Sequence, residues 1–108
     1  AGYANTVYNF GQPRTGDKSY ASFATKKIPT FRVTHNKDQV PHLPFTTTME
    51  FYHICTEEFE DVNGKLTVCS ATNGEDPACA DRYSLTQTNT EDHSYYLGHR
   101  VSCEESTV

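Results

Sequence analysis

The first third of the chain carries the pattern of a strand, a helix and a second strand. Residues 6–10 (TVYNF) are aromatic and β-branched, and glycine and proline follow them closely. Asp17 is a typical N-cap for a helix over residues 18–26, and residues 30–34 (TFRVT) predict the second strand. One face of this helix is apolar, formed by Tyr20, Phe23 and Ala24. A strand, crossover helix and strand of this length form a βαβ unit with parallel strands. We therefore predict an α/β fold.

This parallel pair constrains what surrounds it. Parallel strands are normally buried on both faces within a larger sheet, and the sequence suggests only this one parallel pair. We therefore expect the chain to be one part of a larger assembly. A length of 108 residues with an even composition predicts one domain rather than two. The chain begins with Ala1 rather than Met, which we interpret as a processed start.

The remaining residues predict short elements joined by loops. Asn63-Gly64 separates strand-like residues 57–61 and 65–69, and this dipeptide favours a type I′ hairpin turn. Residues 70–90 are polar and rich in turn formers, which indicates a surface loop. Two further short segments are predicted, a strand at 49–54 and a last ordered segment at 92–97.

Composition excludes several classes of protein. Nine Lys and Arg against fourteen Asp and Glu give a net charge of −5, which argues against a nucleic-acid partner. The mean hydropathy is −0.69, and no apolar run approaches the roughly 20 residues of a membrane span. Four cysteines in so short a chain favour an oxidising, extracellular compartment, and they allow three pairings.

Two residues are candidates for acid–base chemistry. Asp38 lies in the loop after the second predicted strand, where α/β proteins place functional residues. It could orient a histidine, or it could simply form a turn. His93 precedes the aromatic pair Tyr95 and Tyr96, which suits a base held at a cleft. A solvated or structurally hydrogen-bonded histidine is the alternative interpretation.

Other kinds of site find little support. The five histidines and four cysteines show neither the His-x-x-x-His nor the Cys-x-x-Cys spacing of a zinc site, so we expect no metal and no cofactor. No Gly-x-Ser-x-Gly nucleophile motif occurs either. The residues thus offer an acid and a base but no convincing nucleophile.

Four ordered segments of the chain resemble the secreted fungal-type (class 3) lipases and related feruloyl esterases. They are NFGQPRTGDKSYASFA, FRVTHNKDQVPHLP, EFYH and EDHSYYLG, which together extend over roughly residues 6–98. The resemblance implies the α/β-hydrolase fold and hydrolysis of carboxylic esters, including lipid esters. Residues 1–108 would be the C-terminal part of one such domain: a parallel βαβ unit, then short strands, a hairpin and a terminal short helix.

The resemblance also implies roles for individual residues. Asp38 matches the acid of the family's Ser–Asp–His triad, and His93 matches the base. The family's nucleophilic serine lies upstream of the first matching segment and is absent from this chain. A second chain carrying that serine is therefore the expected partner, with a lipid or other ester as substrate.

The cysteines connect to this implied partner. Family members often have a local bridge at the positions of Cys69 and Cys79. A cysteine near the family's C-terminus, here Cys103, commonly pairs with the N-terminal half. Cys103 would then be joined to a separate chain, remain free, or pair with Cys55. A disulfide to the second chain would run through Cys103 or Cys55.

Two alternatives remain open at the level of sequence. A lipase-like protein that lacks the serine would serve as a storage, structural or binding protein. An independent, disulfide-stabilised module that binds a ligand is the other alternative, although a lone parallel βαβ unit is poorly suited to stand alone.

Overall fold

The computed structural model describes residues 5–103, and it contains two sheets with short helices around them. Strands β1 (Val7–Phe10), β2 (Thr30–His35), β3 (Glu57–Glu60) and β4 (Leu66–Val68) form the larger sheet, in that order. Strands β5 (Tyr95–Tyr96) and β6 (His99–Arg100) form an antiparallel pair. The helices are α1 (Lys18–Lys27) and α2 (Thr46–Met49). Single 3₁₀ turns span Val40–His42, Ala80–Arg82, Leu85–Gln87 and Glu91–Ser94.

The predicted βαβ unit is present. Strands β1 and β2 pair in parallel from Val7 opposite Thr30 to Phe10 opposite Val33, and α1 connects them. The Asp17 side chain caps α1, because its Oδ1 accepts a hydrogen bond from the Tyr20 backbone nitrogen at 2.8 Å. The parallel pairing and the cap therefore agree with the sequence interpretation.

The expectation of a single parallel pair is wrong. Strand β3 also lies parallel to β2, with Arg32 opposite Glu57 and His35 opposite Glu60. The glutamates of β3 are typical of an exposed hairpin strand, yet Glu57 and Glu60 are buried. Strand β3 is therefore both the third parallel strand and the first strand of the hairpin with β4.

The hairpin exists, but its turn is not type I′. That turn requires a positive φ at both central residues, and in the described chain Asn63 is not among the residues with positive φ, whereas Gly64 has φ +81°. The Gly64 nitrogen donates to the Asp61 oxygen at 3.0 Å, and the Asp61 nitrogen donates to the Lys65 oxygen at 3.0 Å. These bonds define a three-residue loop that ends in a glycine bulge.

The strand predicted at residues 49–54 is also wrong. The short helix α2 ends there, because Glu50 adopts the left-handed conformation with φ 56°. Only Tyr52 makes a strand-like contact, an isolated antiparallel bridge to Gly16. Aromatic residues favour a strand locally, but a strand also needs a neighbour along its length.

Large apolar side chains remain exposed in β1 and α1. Tyr8 and Phe10 of β1 are 60% and 47% exposed, and Phe23 of α1 is 63% exposed. The buried residue of α1 is instead Ala21. Within residues 5–103, β2 is the only strand paired with β1, so the other edge of β1 is open. Of the apolar helix face that the sequence predicts, Tyr20 and Phe23 thus stay exposed and Ala24 is half-buried in the described part of the chain.

A disulfide joins Cys69 to Cys79, as the family resemblance implies. Both half-cystines are buried beside Phe59 and Ala80 in the small apolar core. Cys55 is buried and unpaired, and Cys103 is exposed and unpaired, so these two do not form a disulfide with one another. Among the described residues, no helix has the length and apolar character required to cross a bilayer.

Candidate active site

The site is built where the three parallel strands end. Because the strands run in the same direction, their carboxyl ends meet at one edge of the sheet. Gly11 follows β1 there, Asp38 follows β2, and Glu60 is the last residue of β3. The β5–β6 hairpin is held at this edge, since the Leu97 nitrogen donates to Glu60 Oε1 at 3.0 Å.

The structure brings the two candidate residues together. Nδ1 of His93 lies 2.8 Å from Oδ2 of Asp38, although the residues are 55 positions apart in the chain. The carboxylate is only 1% exposed, whereas the imidazole is 42% exposed. Since the carboxylate accepts, Nδ1 carries the proton and Nε2 has a free lone pair. Within residues 5–103, Nε2 has no hydrogen-bond partner, so this nitrogen is able to accept a proton from another group.

Two further donors hold the Asp38 carboxylate. The Val40 backbone nitrogen donates to Oδ1 at 2.9 Å, and the Tyr96 hydroxyl donates to the same Oδ2 that faces His93. Tyr96 is buried, and burial together with the bond to Asp38 raises its pKa, so it stays a neutral donor. The carboxylate is therefore fixed in position by the backbone and by a phenol.

The sequence does not distinguish Tyr96 from Tyr95, since both belong to the aromatic pair that follows His93. Tyr95 is 46% exposed, so it does not form a buried support. Neighbouring residues of a strand face opposite sides, which indicates that only one of the two tyrosines supports the site, but the sequence does not say which one. Which carboxylate the buried hydroxyl reaches is not visible in the sequence.

Gly11 allows the backbone to pass close to His93 and Tyr96. It has φ +72°, a conformation that favours glycine. A Cβ atom at this position would lie 2.9 Å from both Cε1 and Nδ1 of His93 and 2.8 Å from the Tyr96 hydroxyl. Since these distances are shorter than ordinary contacts, the absence of a side chain leaves room for the imidazole and the phenol.

Other histidines have structural roles. His53 is buried, and its Nε2 donates to the Pro41 oxygen at 2.6 Å, as expected for a histidine hydrogen-bonded in the core. Burial and the nearby Arg32 guanidinium lower the pKa of His53 to about 3. His35 donates from Nδ1 to the backbone carbonyl oxygen of Asp92 at 2.9 Å. This bond orders the loop beside the candidate acid.

Arg14 anchors the proline-containing loop that follows the candidate acid. It is buried, forms two short bonds to the Glu75 carboxylate and donates to the carbonyl oxygens of His42 and Pro44. Burial alone would raise the pKa of Glu75, but the bonds from Arg14, together with those from Asp81 and the His53 backbone, outweigh it and hold that pKa well below its usual range. The charge pair thus connects the turn after β1 with the loop at 71–75.

Metal binding receives no support from the described residues. The cluster of possible ligands found there consists of Glu57, Cys69 and Cys79. Both sulfur atoms belong to the disulfide, so neither is available as a thiolate. A groove of about 530 Å³ between α1 and the 71–75 loop contains neither Asp38 nor His93 in its lining.

Comparison with known proteins places these residues in a family. The family described as Lipase (class 3) matches residues 3–48. The lipase of Rhizomucor miehei is 31% identical over 93 residues, which cover 85% of this chain and 25% of that protein. A secreted mono- and diacylglycerol lipase 1 of Fusarium solani is 41% identical over 44 residues, 40% of this chain and 13% of that protein. The chain therefore spans about a quarter or less of these curated relatives.

The fold agrees with the sequence relatives. A solved triacylglycerol lipase, whose published description is that a serine protease triad forms its catalytic centre, superimposes with a TM-score of 0.76. That structure is 31% identical, and the match covers 88% of this chain and 36% of the lipase. The parallel strands and crossover helix described above are a portion of the α/β-hydrolase fold of such lipases. The chain thus resembles, over most of its length, a portion of the class 3 lipases of the fungal type.

Proposed function

We propose that Asp38 and His93 are the acid and base of a serine lipase or esterase. The observation that carries the proposal is the 2.8 Å bond from His93 Nδ1 to a buried carboxylate, which leaves Nε2 accessible. A triad needs this arrangement, because the acid must fix the tautomer of the base and stabilise the imidazolium. In the solved relative, the published description names a triad of this kind as the catalytic centre.

The proposed chemistry is acyl transfer. Nε2 of His93 removes the proton of a serine hydroxyl as that oxygen attacks the ester carbonyl. The imidazolium then returns the proton to the departing alcohol. Water next attacks the acyl-enzyme, and Nε2 takes the proton of the water and returns it to the serine oxygen as the carboxylic acid leaves. Asp38 stays ionised throughout and stabilises the charged imidazole. The substrate class we infer is the carboxylic ester of a lipid.

The serine must come from elsewhere. Within residues 5–103, no serine or cysteine side chain hydrogen-bonds to His93. We infer that a complementary part of the same lipase domain, carried by a second chain or by further residues of this one, supplies the serine. Residues 1–108 would then be the C-terminal part of that domain.

The exposed apolar surface supports such a complement. The open edge of β1 offers unpaired backbone groups, and Tyr8 and Phe10 of β1 and Phe23 of α1 expose large apolar areas. An additional strand and helix would satisfy both features. Exposed Cys103 is available for a disulfide to the complement, whereas buried Cys55 is less accessible. The Cys69–Cys79 bridge and the secreted relative of Fusarium solani support an extracellular location.

The first experiment is the intact mass of the native protein before and after reduction. Release of a second polypeptide on reduction would identify a disulfide-linked complement, whose sequence can be searched for Gly-x-Ser-x-Gly. A complement that lacks the serine would instead support the inactive storage, structural or binding protein.

The second experiment tests the two residues in the assembled protein. We expect Asp38→Asn and His93→Ala each to lower kcat for p-nitrophenyl butyrate by orders of magnitude. His99→Ala is the matched control, because His99 is exposed in β6 and has no side-chain hydrogen bond among the described residues. Unchanged turnover in both variants would refute the assignment.

A further inference from the structure

Asp92, which directly precedes His93, connects the loop of the candidate base to the loop of the candidate acid. Its Oδ2 accepts hydrogen bonds from the Lys37 backbone nitrogen and the Asn36 side chain, each at 3.1 Å, and from the Asn89 side chain at 3.3 Å. Its backbone oxygen accepts from His35 Nδ1 at 2.9 Å. One residue thus contacts both loops through its side chain and its backbone.

These contacts reinforce a short parallel bridge between the loops. Asp38 lies opposite Asn89, with the Gln39 nitrogen donating to the Asn89 oxygen at 2.9 Å and the Asn89 nitrogen donating to the Lys37 oxygen at 2.8 Å. The Asp92 nitrogen in turn donates to Asn89 Oδ1 at 2.8 Å. The turn that carries His93 is therefore bound to the acid loop through both Asn89 and Asp92.

The base needs this support more than the acid does. Asp38 is 1% exposed and accepts three hydrogen bonds, so its position is well determined. The imidazole of His93 is 42% exposed, its one side-chain hydrogen bond is the one to Asp38, and its backbone nitrogen donates to Thr90 at a long 3.3 Å. Its alignment consequently depends on the turn Glu91–Ser94, which Asp92 ties down.

We propose that Asp92 is a positioning residue that holds the His93 imidazole in line with Asp38. This inference rests on the proposed function, because alignment matters for catalysis only if His93 is the base. A positioned base contributes through geometry, so loosening the turn should lower the rate of the chemical step and leave substrate binding unchanged.

The adjacent Glu91 provides a control that distinguishes the effect of lost hydrogen bonds from the effect of lost charge. Glu91 belongs to the same turn and carries the same charge, but it is exposed and makes no side-chain hydrogen bond within residues 5–103. Removal of either carboxylate changes the field at His93 by one negative charge nearby. Only the removal of the Asp92 carboxylate also breaks hydrogen bonds between this turn and the acid loop. Asp92→Ala and Glu91→Gln therefore remove the same charge, and only Asp92→Ala also removes all the side-chain hydrogen bonds to the acid loop.

The experiment measures kcat and KM of the assembled protein together with the proton NMR signal of His93 Nδ1. We expect Asp92→Ala to lower kcat about 10- to 100-fold with KM within twofold. Asp92→Asn should be intermediate, because its remaining oxygen can still accept from Lys37. Glu91→Gln should stay within twofold of the parent. The low-field Nδ1 proton signal should broaden or move upfield in Asp92→Ala and persist in Glu91→Gln.

Two results would overturn the proposal. One is a kcat of Asp92→Ala within twofold of the parent with an unchanged Nδ1 signal. The other is an equal loss of activity in Asp92→Ala and Glu91→Gln, which would make the effect one of charge. If Asp92→Ala does not fold, Asp92→Asn is compared with Glu91→Gln instead, and the proposal then requires a smaller loss of kcat in Asp92→Asn and none in Glu91→Gln. If the parent protein has no esterase activity, the proposed function fails, whereas the NMR signal still tests the positioning of His93.

Discussion

Replacing Gly11 by alanine should displace His93 without removing any group from the Asp38–His93 pair. The added Cβ would lie 2.9 Å from two atoms of the imidazole and 2.8 Å from the Tyr96 hydroxyl. Ordinary contacts begin near 3.4 Å, so the ring must retreat by about 0.5 Å. Because the Nδ1 bond to Asp38 is 2.8 Å long, a shift of this size weakens the bond and moves Nε2 away from its reacting partner.

The magnitude has two parts. A left-handed backbone costs alanine about 1–2 kcal/mol relative to glycine, and this part affects stability. The displacement of the ring affects catalysis: since a misplacement of roughly 1 Å can cost about 100-fold in rate, a shift of half that size should lower kcat roughly tenfold. Stability and activity therefore report different consequences of one substitution.

Gly98→Ala is the matched control for this prediction. Gly98 has φ +79°, close to the +72° of Gly11, but nothing lies within 4 Å of its added Cβ. Both variants should lose similar thermal stability, whereas only Gly11→Ala should lose kcat toward p-nitrophenyl butyrate. Two results would refute the idea that the imidazole needs the space left by Gly11. One is a kcat of Gly11→Ala within twofold of the parent, and the other is an equal loss of activity in Gly98→Ala.

Three further predictions concern the support of the site and the stability of the fold. Tyr96→Phe removes one donor to the Asp38 carboxylate, so kcat/KM should fall about tenfold; an unchanged value would show that the hydroxyl is dispensable. The pKa of His53 is about 3 in the folded protein and near 6.5 when unfolded. The unfolded chain therefore binds a proton first as the pH falls from 6.5 to 3, and the free energy of unfolding decreases by up to about 1.4 kcal/mol per pH unit. Urea titrations at several pH values should show that the free energy of unfolding depends less steeply on pH in His53→Gln than in the parent. An equal slope in both proteins would contradict this cause. Replacing Cys69 and Cys79 by alanine opens a loop of sequence separation 10 and should cost about 3 kcal/mol in the chain-entropy model, measured by the same titration; a cost near zero would contradict that account.

Local patterns predicted the first half of the sheet well. Asp17 caps α1 as expected, and β1 and β2 pair in parallel on either side of it. These features depend on near neighbours: the cap reaches three residues along the chain, and a strand–helix–strand unit has a fixed geometry. The position of Asp38 directly after β2 follows from the same unit.

The strand over residues 57–61 is confirmed, but the sequence does not predict its parallel pairing with β2, because its glutamates are buried with partners that lie far away in the sequence. Thr34 Oγ1 donates to Glu57 at 2.6 Å, and the Ala80 nitrogen donates to the same carboxylate oxygen at 3.1 Å. Burial raises the pKa of Glu57, while Arg32 at 4.0 Å and these donors oppose that shift. Polar side chains normally indicate exposure, so a buried and satisfied carboxylate looks like a surface residue until the fold is known.

The amino-acid sequence alone predicts the βαβ unit, the hairpin, the family resemblance and the two candidate residues. Only the tertiary structure decided that Asp38 and His93 share a 2.8 Å hydrogen bond, that Tyr96 shares the same carboxylate oxygen and that Gly11 leaves room for the imidazole. The physical reason is the range of the interactions. Helix caps and turns act over three or four residues, whereas this site joins strand ends and loops separated by more than 50 residues, and their distances depend on how the whole sheet packs.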